Sequence, residues 1–545
     1  MSTRLADSAA TDSAALDCAT AESAAGDGTG AVSVGADSAG AAREVAPLRT
    51  DSLADSVVIL LALTVVQRGV GFARSVLFCR WLDPQDLGQW DMAYGFLMMA
   101  APLAVLGLPG SFGRYVEHYR QQGQLRSFLR RTTSLVVFLG IVATAAVALG
   151  RVQVSQLIFG SPEFVGLTLI LAAGLGTVIL HNSLTSLFTA LRMYRVVCGM
   201  QFFNAVLFTG LGVGLLLGWK LGAPSVVVAF FGACLLTSCG TLVWLRRAWR
   251  AAPVSAVPLR HGALWAKLMP FALWMWVTNW LTGLFDFVAR YMLIHYSGLD
   301  VAEALVQVGQ YHSARIVPVL FVGMAELLAA MITPHLSYDW EAGRRDRVSR
   351  RLNLFLKLLA FGLVSAGVAL EFVAPVLFSL GFEGKYAAGL SVLPWTMMYC
   401  IWGALAIVAH NYVLCAEKAR LTSLTLVAGL AVNIALNLAL LPSLGLLGAV
   451  LATAAANGVA LSLSYFVNRI NGMQFDRGTL IASAAPALLA FGPWISLVAL
   501  SLVAVATVVG HRVLTHDEKR QLLDLGAAYY DRFKSLTRRR QPTGA

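Results

Sequence analysis

Charge is scarce in this chain of 545 residues. Asp, Glu, Lys and Arg together make up 13% of it, about half the usual share of a soluble domain. Hydrophobic residues make up 58%. A soluble chain cannot hide that much apolar side chain, because surface grows too fast relative to volume. A disordered chain would not carry it. Both classes are excluded, and the chain reads as an integral membrane protein.

Other absences narrow the chemistry. The seven cysteines (Cys18, Cys79, Cys198, Cys234, Cys239, Cys400 and Cys415) are scattered, with no Cys-x-x-Cys pair. That argues against a disulfide framework or a zinc site and makes buried thiols the default. No Gly-x-x-x-x-Gly-Lys-Ser/Thr loop occurs, so ATP is not hydrolysed by that route. No clustered His/Cys pattern appears, and neither a metal nor another cofactor is expected. The loops on the less basic side are too short to house paired catalytic carboxylates, so no enzymatic activity is expected. The first residues lack the basic start and apolar block of a secretory signal.

The net charge of +12 is unevenly spread. Residues 1–52 carry three arginines and eight acids, a net −5, which leaves +17 on the remainder. This excess matches loops facing anionic lipid headgroups rather than nucleic acid. Residues 1–52 are also a low-complexity run of Ala, Ser, Asp, Gly and Thr with almost nothing to form a core, and they read as a disordered cytoplasmic tail.

From Ser56 onward, apolar stretches long enough to cross ~30 Å of hydrocarbon recur. They lie at about 57–79, 90–111, 132–150, 164–190, 196–218, 223–245, 268–293, 308–333, 354–379, 387–412, 421–441, 445–467, 478–492 and 494–511. Loops after even-numbered stretches hold 21 Lys and Arg, and loops after odd-numbered ones hold 4. That asymmetry follows the positive-inside rule and places both termini in the cytoplasm. It predicts about fourteen transmembrane helices in an all-α polytopic protein of the cytoplasmic (inner) membrane. The basic tail 512–545 reads as a cytoplasmic interfacial helix, opened by a capping box of Thr515 and Glu518.

The membrane region carries a duplication. Gly88-Gln89-Trp90 matches Gly309-Gln310-Tyr311 at an offset of 221. Arg130-Arg131 matches Arg350-Arg351 at 220, and Ala73-Arg74 matches Ala289-Arg290 at 216. Six spans separate the copies, so both run in the same direction. The expected organisation is an N-terminal six-helix lobe over 53–250 and a C-terminal one over 251–467. Two extra helices over 468–511 lie outside the duplication. Parallel repeats of this kind recur in transporters, with the substrate between the lobes.

Ionisable residues at membrane depth are costly and mark cavities or partners. Five basic residues fall within the spans: Arg68, Arg74, Arg290, Arg315 and Lys357. Lys357 lies near a cytoplasmic helix end and is expected to snorkel. Arg68 sits mid-span, where snorkelling is hardest. Asn279, Gly283, Asp286 and Arg290 share one helix face. Asp286 and Arg290 are spaced for an i,i+4 ion pair, so Asp286 reads either as neutralised there or as a proton or sodium site. His312, Arg315 and Glu326 share a face of the next span. Trp274, Trp276 and Trp280 read as packing or interfacial residues.

Several motifs carry a family resemblance. Trp81-Leu82-Asp83-Pro84-Gln85-Asp86-Leu87-Gly88 resembles the turn after the first helix of polysaccharide-repeat (O-antigen and exopolysaccharide) flippases. Gly107-Leu108-Pro109 followed by Arg114-Tyr115 resembles their second-helix exit. The stretch from Pro442 to Thr453 resembles their signature between helices 11 and 12. That family belongs to the multidrug/oligosaccharidyl-lipid/polysaccharide exporter superfamily. Gln67-Arg68-Gly69-Val70-Gly71-Phe72-Ala73-Arg74 is also similar to the first helix of its peptidoglycan-precursor branch. The resemblance implies flipping of a polyprenyl-diphosphate-linked oligosaccharide by alternating access, for surface polysaccharide export. It implies that Arg68, Arg74 and Arg315 hold the diphosphate in an inter-lobe cavity. Asp286, His312 and Glu326 are then candidates for coupling to H+ or Na+, and Asn279 and Arg290 are polar cavity residues. Expected partners are the lipid-linked glycan, membrane lipids and glycan polymerase or export machinery, with no nucleic acid. Two other readings stay open: a small-molecule cation antiporter of the same superfamily, and a membrane glycosyl polymerase or ligase.

Overall fold

The computed structural model describes residues 53–251, 261–418, 420–510, 514–516 and 518–520. Among them every regular element is helical and none is a strand. In a membrane this is what backbone chemistry demands, since a helix satisfies its own N–H and C=O groups where no water can.

The first half comprises α1 (Leu53–Trp81), α2 (Pro84–Ala104), α3 (Leu108–Gln121), α4 (Leu125–Leu149), α5 (Arg151–Phe159), α6 (Val165–Ala190), α7 (Tyr194–Trp219) and α8 (Ala223–Ala251). The second comprises α9 (His261–Tyr296), α10 (Val301–Arg315), α11 (Pro318–Glu341), α12 (Arg345–Val376), α13 (Ala387–Cys415) and α14 (Arg420–Ile470). Two short apolar helices follow, α15 (Arg477–Ala484), continued by a 3-10 turn to Phe491, and α16 (Pro493–Val509).

A helix stands at each expected stretch. Among the described residues, eight are long and apolar enough to cross a membrane, or nine if the bent pair α2–α3 is one span. The segments Arg477–Phe491 and Pro493–Thr507 fall in a shorter class of 10–17 residues. The 51-residue α14 covers two expected stretches and bends at Gly445, whose φ of 52° and ψ of −128° are not helical.

The kink between α2 and α3 has a local cause. Gly107 adopts a left-handed φ of 67°, a conformation glycine takes without a Cβ penalty. Pro109 then starts α3, where its missing N–H costs nothing. The two helices diverge by 46°. The break also seats α9, since a Cβ on Gly107 would lie 2.5 Å from the Ala272 carbonyl oxygen.

The halves meet along α2, which packs on both α9 and α10. The final helices pack against α12 and α13 and so belong with the second half. Within the helices, hydroxyls such as Thr132, Thr209 and Ser464 donate to carbonyls one turn earlier in their own helix, as isolated polar groups in apolar surroundings must.

Lys357 corrects an expectation. Rather than snorkelling, its side chain is fully buried. Its Nζ donates to both carboxylate oxygens of Glu518 at 2.9 Å and pairs with Asp476. Asp476, at the start of α15, and Glu518, from the chain beyond α16, both reach Lys357 inside α12, so the ammonium finds carboxylates instead of water. The expected capping box is formed: the Thr515 N–H donates to Glu518 Oε2 at 2.8 Å, and the Glu518 N–H donates to Thr515 Oγ1 at 3.4 Å. The expected tail 1–52 and the rest of the expected interfacial helix, 521–545, lie outside the described residues.

Candidate functional site

The intramembrane charges converge where α1, α2, α9, α10 and α11 face one another. At the centre is Asp91 on α2, with 3% of its surface exposed. Its Oδ1 accepts from Arg290 Nη1 at 3.0 Å and lies 2.8 Å from His312 Nδ1. Arg290 Nη1 also reaches the Asp91 carbonyl at 3.3 Å. The network joins one helix of the first half to two of the second. A buried carboxylate is tolerable only when paired and hydrogen-bonded, and here an arginine and a histidine supply the partners.

The expected Asp286–Arg290 ion pair is not made. Arg290 turns across the interface to Asp91, and towards its own helix it donates from Nη2 to the Asp286 backbone carbonyl at 2.8 Å. A neighbouring lobe's carboxylate, buried and ready-placed, wins over an exposed one a turn away. The Asp286 carboxylate, 66% exposed, lies instead 3.9 Å from Arg315 Nη2. Arg315 packs on the Tyr311 ring at 5.3 Å, and Tyr399 donates to the Tyr311 hydroxyl behind it at 3.0 Å.

Two arginines come from α1. Arg68 stands 3.8 Å from Glu326 of α11, both side chains well exposed, and its guanidinium lies over Gly323, where a Cβ would come within 2.6 Å of Cζ. Arg74 is half-buried and sits over the Phe208 ring at 4.2 Å. Among the described residues, Arg74 has no carboxylate partner. Four arginines thus face three carboxylates (Asp91, Asp286 and Glu326), and Arg74 is the one left over. Asn279 is exposed, near Gly110 of α3, away from the Asp91 network.

The duplication explains the imbalance. Arg74 and Arg290 are repeat counterparts, and Asp91 and His312 are counterparts at the 221 offset. The counterpart of the Arg290–Asp91 pair is therefore Arg74–His312. A histidine stands where the symmetric carboxylate would be, and the charge on Arg74 goes uncompensated.

Sequence reasoning missed Asp91. It weighed the basic residues within the spans and the acids sharing a helix face with them, Asp286 and Glu326, and α2 offered no basic residue to draw attention to Asp91. An Asp inside an apolar span, falling opposite His312 in the repeat register, was the available signal. Glu371 on α12 was missed as well: it is buried within the helix, beside Ser496. Among the described residues, no three His, Cys, Asp or Glu converge to hold a metal ion.

Comparison with known proteins bears on this arrangement. A family model described as "Polysaccharide biosynthesis protein" matches residues 53–337. No curated protein matches the sequence. A solved lipid II flippase MurJ in an inward closed conformation aligns over 88% of this chain and 99% of its own, with a TM-score of 0.61 at 14% identity. An inward-facing multidrug resistance MATE family transporter of the MOP superfamily aligns over 74% of this chain and 94% of its own, with a TM-score of 0.60 at 15% identity. A MOP superfamily transporter from Pyrococcus furiosus aligns over 77% of this chain and 94% of its own, with a TM-score of 0.54 at 14% identity. At these identities the likeness is one of fold.

Proposed function

The chain belongs to the polysaccharide biosynthesis protein family, and from that premise we propose that it moves a polyprenyl-diphosphate-linked oligosaccharide across the cytoplasmic membrane by alternating access. In this reading it transports its substrate and does not transform it, and both termini face the cytoplasm. The observation that carries the reading is the uncompensated arginine, Arg74, half-buried over the Phe208 ring with no carboxylate partner among the described residues.

A diphosphate and a sugar chain cannot cross hydrocarbon unaided, because each polar group would lose its water with nothing in return. A planar guanidinium answers this need, since it stays charged and can grip phosphate oxygens with two parallel N–H bonds. Phe208 holds the Arg74 fork from behind at 4.2 Å, a contact of ~0.5–2 kcal/mol that leaves the N–H edge available. Arg68 and Arg315 join Arg74 when the anion outcompetes Glu326 and Asp286, whose contacts with them are long, at 3.8 and 3.9 Å. The polyprenyl tail remains in lipid. Asp286, His312 and Glu326 are the groups that couple the cycle to H+ or Na+, and glycan polymerase or export machinery receives the product.

Native mass spectrometry of the purified wild type and of Arg74→Ala tests this reading. A polyprenyl-diphosphate glycan on the wild type, lost from the variant, is the expected result. No such lipid on the wild type, together with retention of a small organic cation, would replace it with the antiporter reading, for which the exposed Asp286 and Glu326 carboxylates are the natural contacts.

A further inference from the structure

We propose that the groove between α4, α6 and α8 is a binding site for an anionic glycerophospholipid, separate from the inter-lobe site. The groove encloses about 490 Å³. It lies on the flank of the first half, whereas the charged seam is built from α1, α2, α9, α10 and α11.

Its chemistry is graded along α4. Arg130, Ser134, Val137 and Ile141 line it at i, i+4, i+7 and i+11, one face of the helix. The arginine end meets Trp249 of α8, and the Arg126 guanidinium lies over that ring at 5.4 Å. Arg246, Arg247 and Arg250 are exposed at the same end of α8. The far end is hydrocarbon, with Phe138 and Ile141 exposed. None of the three helices contains an Asp or Glu, and among the described residues neither Arg126 nor Arg130 forms an ion pair with a carboxylate. A basic head beside an apolar trough selects a molecule with an anionic head and a hydrocarbon tail.

Length selects among such molecules. From Leu129 to Ile141 the lining runs ~18 Å at the helical rise per residue. One leaflet of hydrocarbon is ~15 Å deep, half of the bilayer core. The trough thus matches one acyl chain standing in one leaflet, with its phosphate at Arg126 and Arg130. A polyprenyl tail several times longer would leave most of its length outside.

The test is lipid retention by the full chain in native mass spectrometry, after exposure to phosphatidylglycerol, phosphatidylcholine or a polyprenyl phosphate. Wild type is expected to keep phosphatidylglycerol preferentially. Arg126→Gln/Arg130→Gln should lose it about 25-fold, roughly five-fold per arginine near a headgroup. Phe138→Trp, which fills the trough and leaves both arginines, should lose it as well. Phosphatidylglycerol should raise the melting temperature of wild type and of neither variant, while all three melt alike in phosphatidylcholine. Equal retention of the charged and zwitterionic lipids, retention unchanged in either variant, or preference for polyprenyl phosphate abolished by the same substitutions would each overturn the assignment.

Discussion

Gly88 and Gly309, repeat counterparts on α2 and α10, lie against each other where the two halves cross. A Cβ on Gly88 would fall 2.0 Å from the Leu305 carbonyl oxygen and 3.1 Å from the Gly309 nitrogen. A Cβ on Gly309 would fall 1.9 Å from the Pro84 carbonyl oxygen and 3.2 Å from the Gly88 nitrogen. Pro84 and Leu305 are themselves counterparts at the same offset. The contact is reciprocal, as an isologous interface between two copies would be, and it marks where the pseudo-two-fold axis runs.

Backbone atoms cannot swing aside as a side-chain tip can, so a methyl group at either glycine must push the helices apart. Gly88→Ala and Gly309→Ala should each destabilise at the upper end of ~1–3 kcal/mol, the usual cost of overpacking. Melting curves in detergent measure this. Gly214→Ala is the control: a Cβ there meets nothing within 4 Å, and no loss of stability is expected.

Asp91 and Arg290 form a second inter-lobe contact whose energetics can be isolated. Asp91→Leu leaves a guanidinium that is 5% exposed without a carboxylate, at a cost of ~3–5 kcal/mol. The double replacement Asp91→Leu/Arg290→Met removes both charges and should recover most of that loss. A thermal-denaturation cycle over the four proteins therefore shows strong coupling between the sites. Additive losses would mean that the two side chains do not stabilise each other.

The helical fold was legible because hydropathy alone dictates it: each long apolar run has a helix, and the chain break at Gly107-Leu108-Pro109 carries its own turn chemistry. The duplication was legible too, since Gly88 and Gly309 are short local signatures in register. Pairing was not legible. Helix periodicity placed Asp286 and Arg290 on one face correctly, but the partner of Arg290 lay on another helix about 200 residues away. Lys357 failed for a similar reason: its carboxylates arrive from residues 476 and 518. Sequence spacing reports neighbours within a helix, while burial decides which neighbour is taken.

The Lys357 contact makes the last described segment part of the second half. Lys357→Met keeps the length of the side chain and removes the ammonium, leaving Asp476 and Glu518 close together without a cation. Asp476 also caps α15 through the Thr479 N–H at 2.7 Å, so the start of that helix should loosen with the segment at 518–520. Hydrogen exchange is expected to rise at Thr479 and over 518–520 while the amides of α2 and α10 keep their protection. Unchanged exchange at both places would show that packing alone holds the segment.

Arg74 and Arg68 should differ in how they respond to substitution, because one is compensated and the other is not. Each charge-assisted hydrogen bond to phosphate contributes ~1.5–3 kcal/mol, so losing two from Arg74→Ala should weaken binding of a short-chain polyprenyl diphosphate by at least about 100-fold. Arg74→Lys keeps the charge but loses the two-pronged grip and should fall in between, at roughly ten-fold for about one such bond. Arg68→Ala should cost less than Arg74→Ala, since Glu326 at 3.8 Å already offsets part of its charge. Glu326→Gln should then tighten binding by freeing Arg68 for the anion. Titrations of the four variants followed by native mass spectrometry separate these effects. If Arg68→Ala proves as damaging as Arg74→Ala, the missing counter-ion is not what makes Arg74 the primary anion contact.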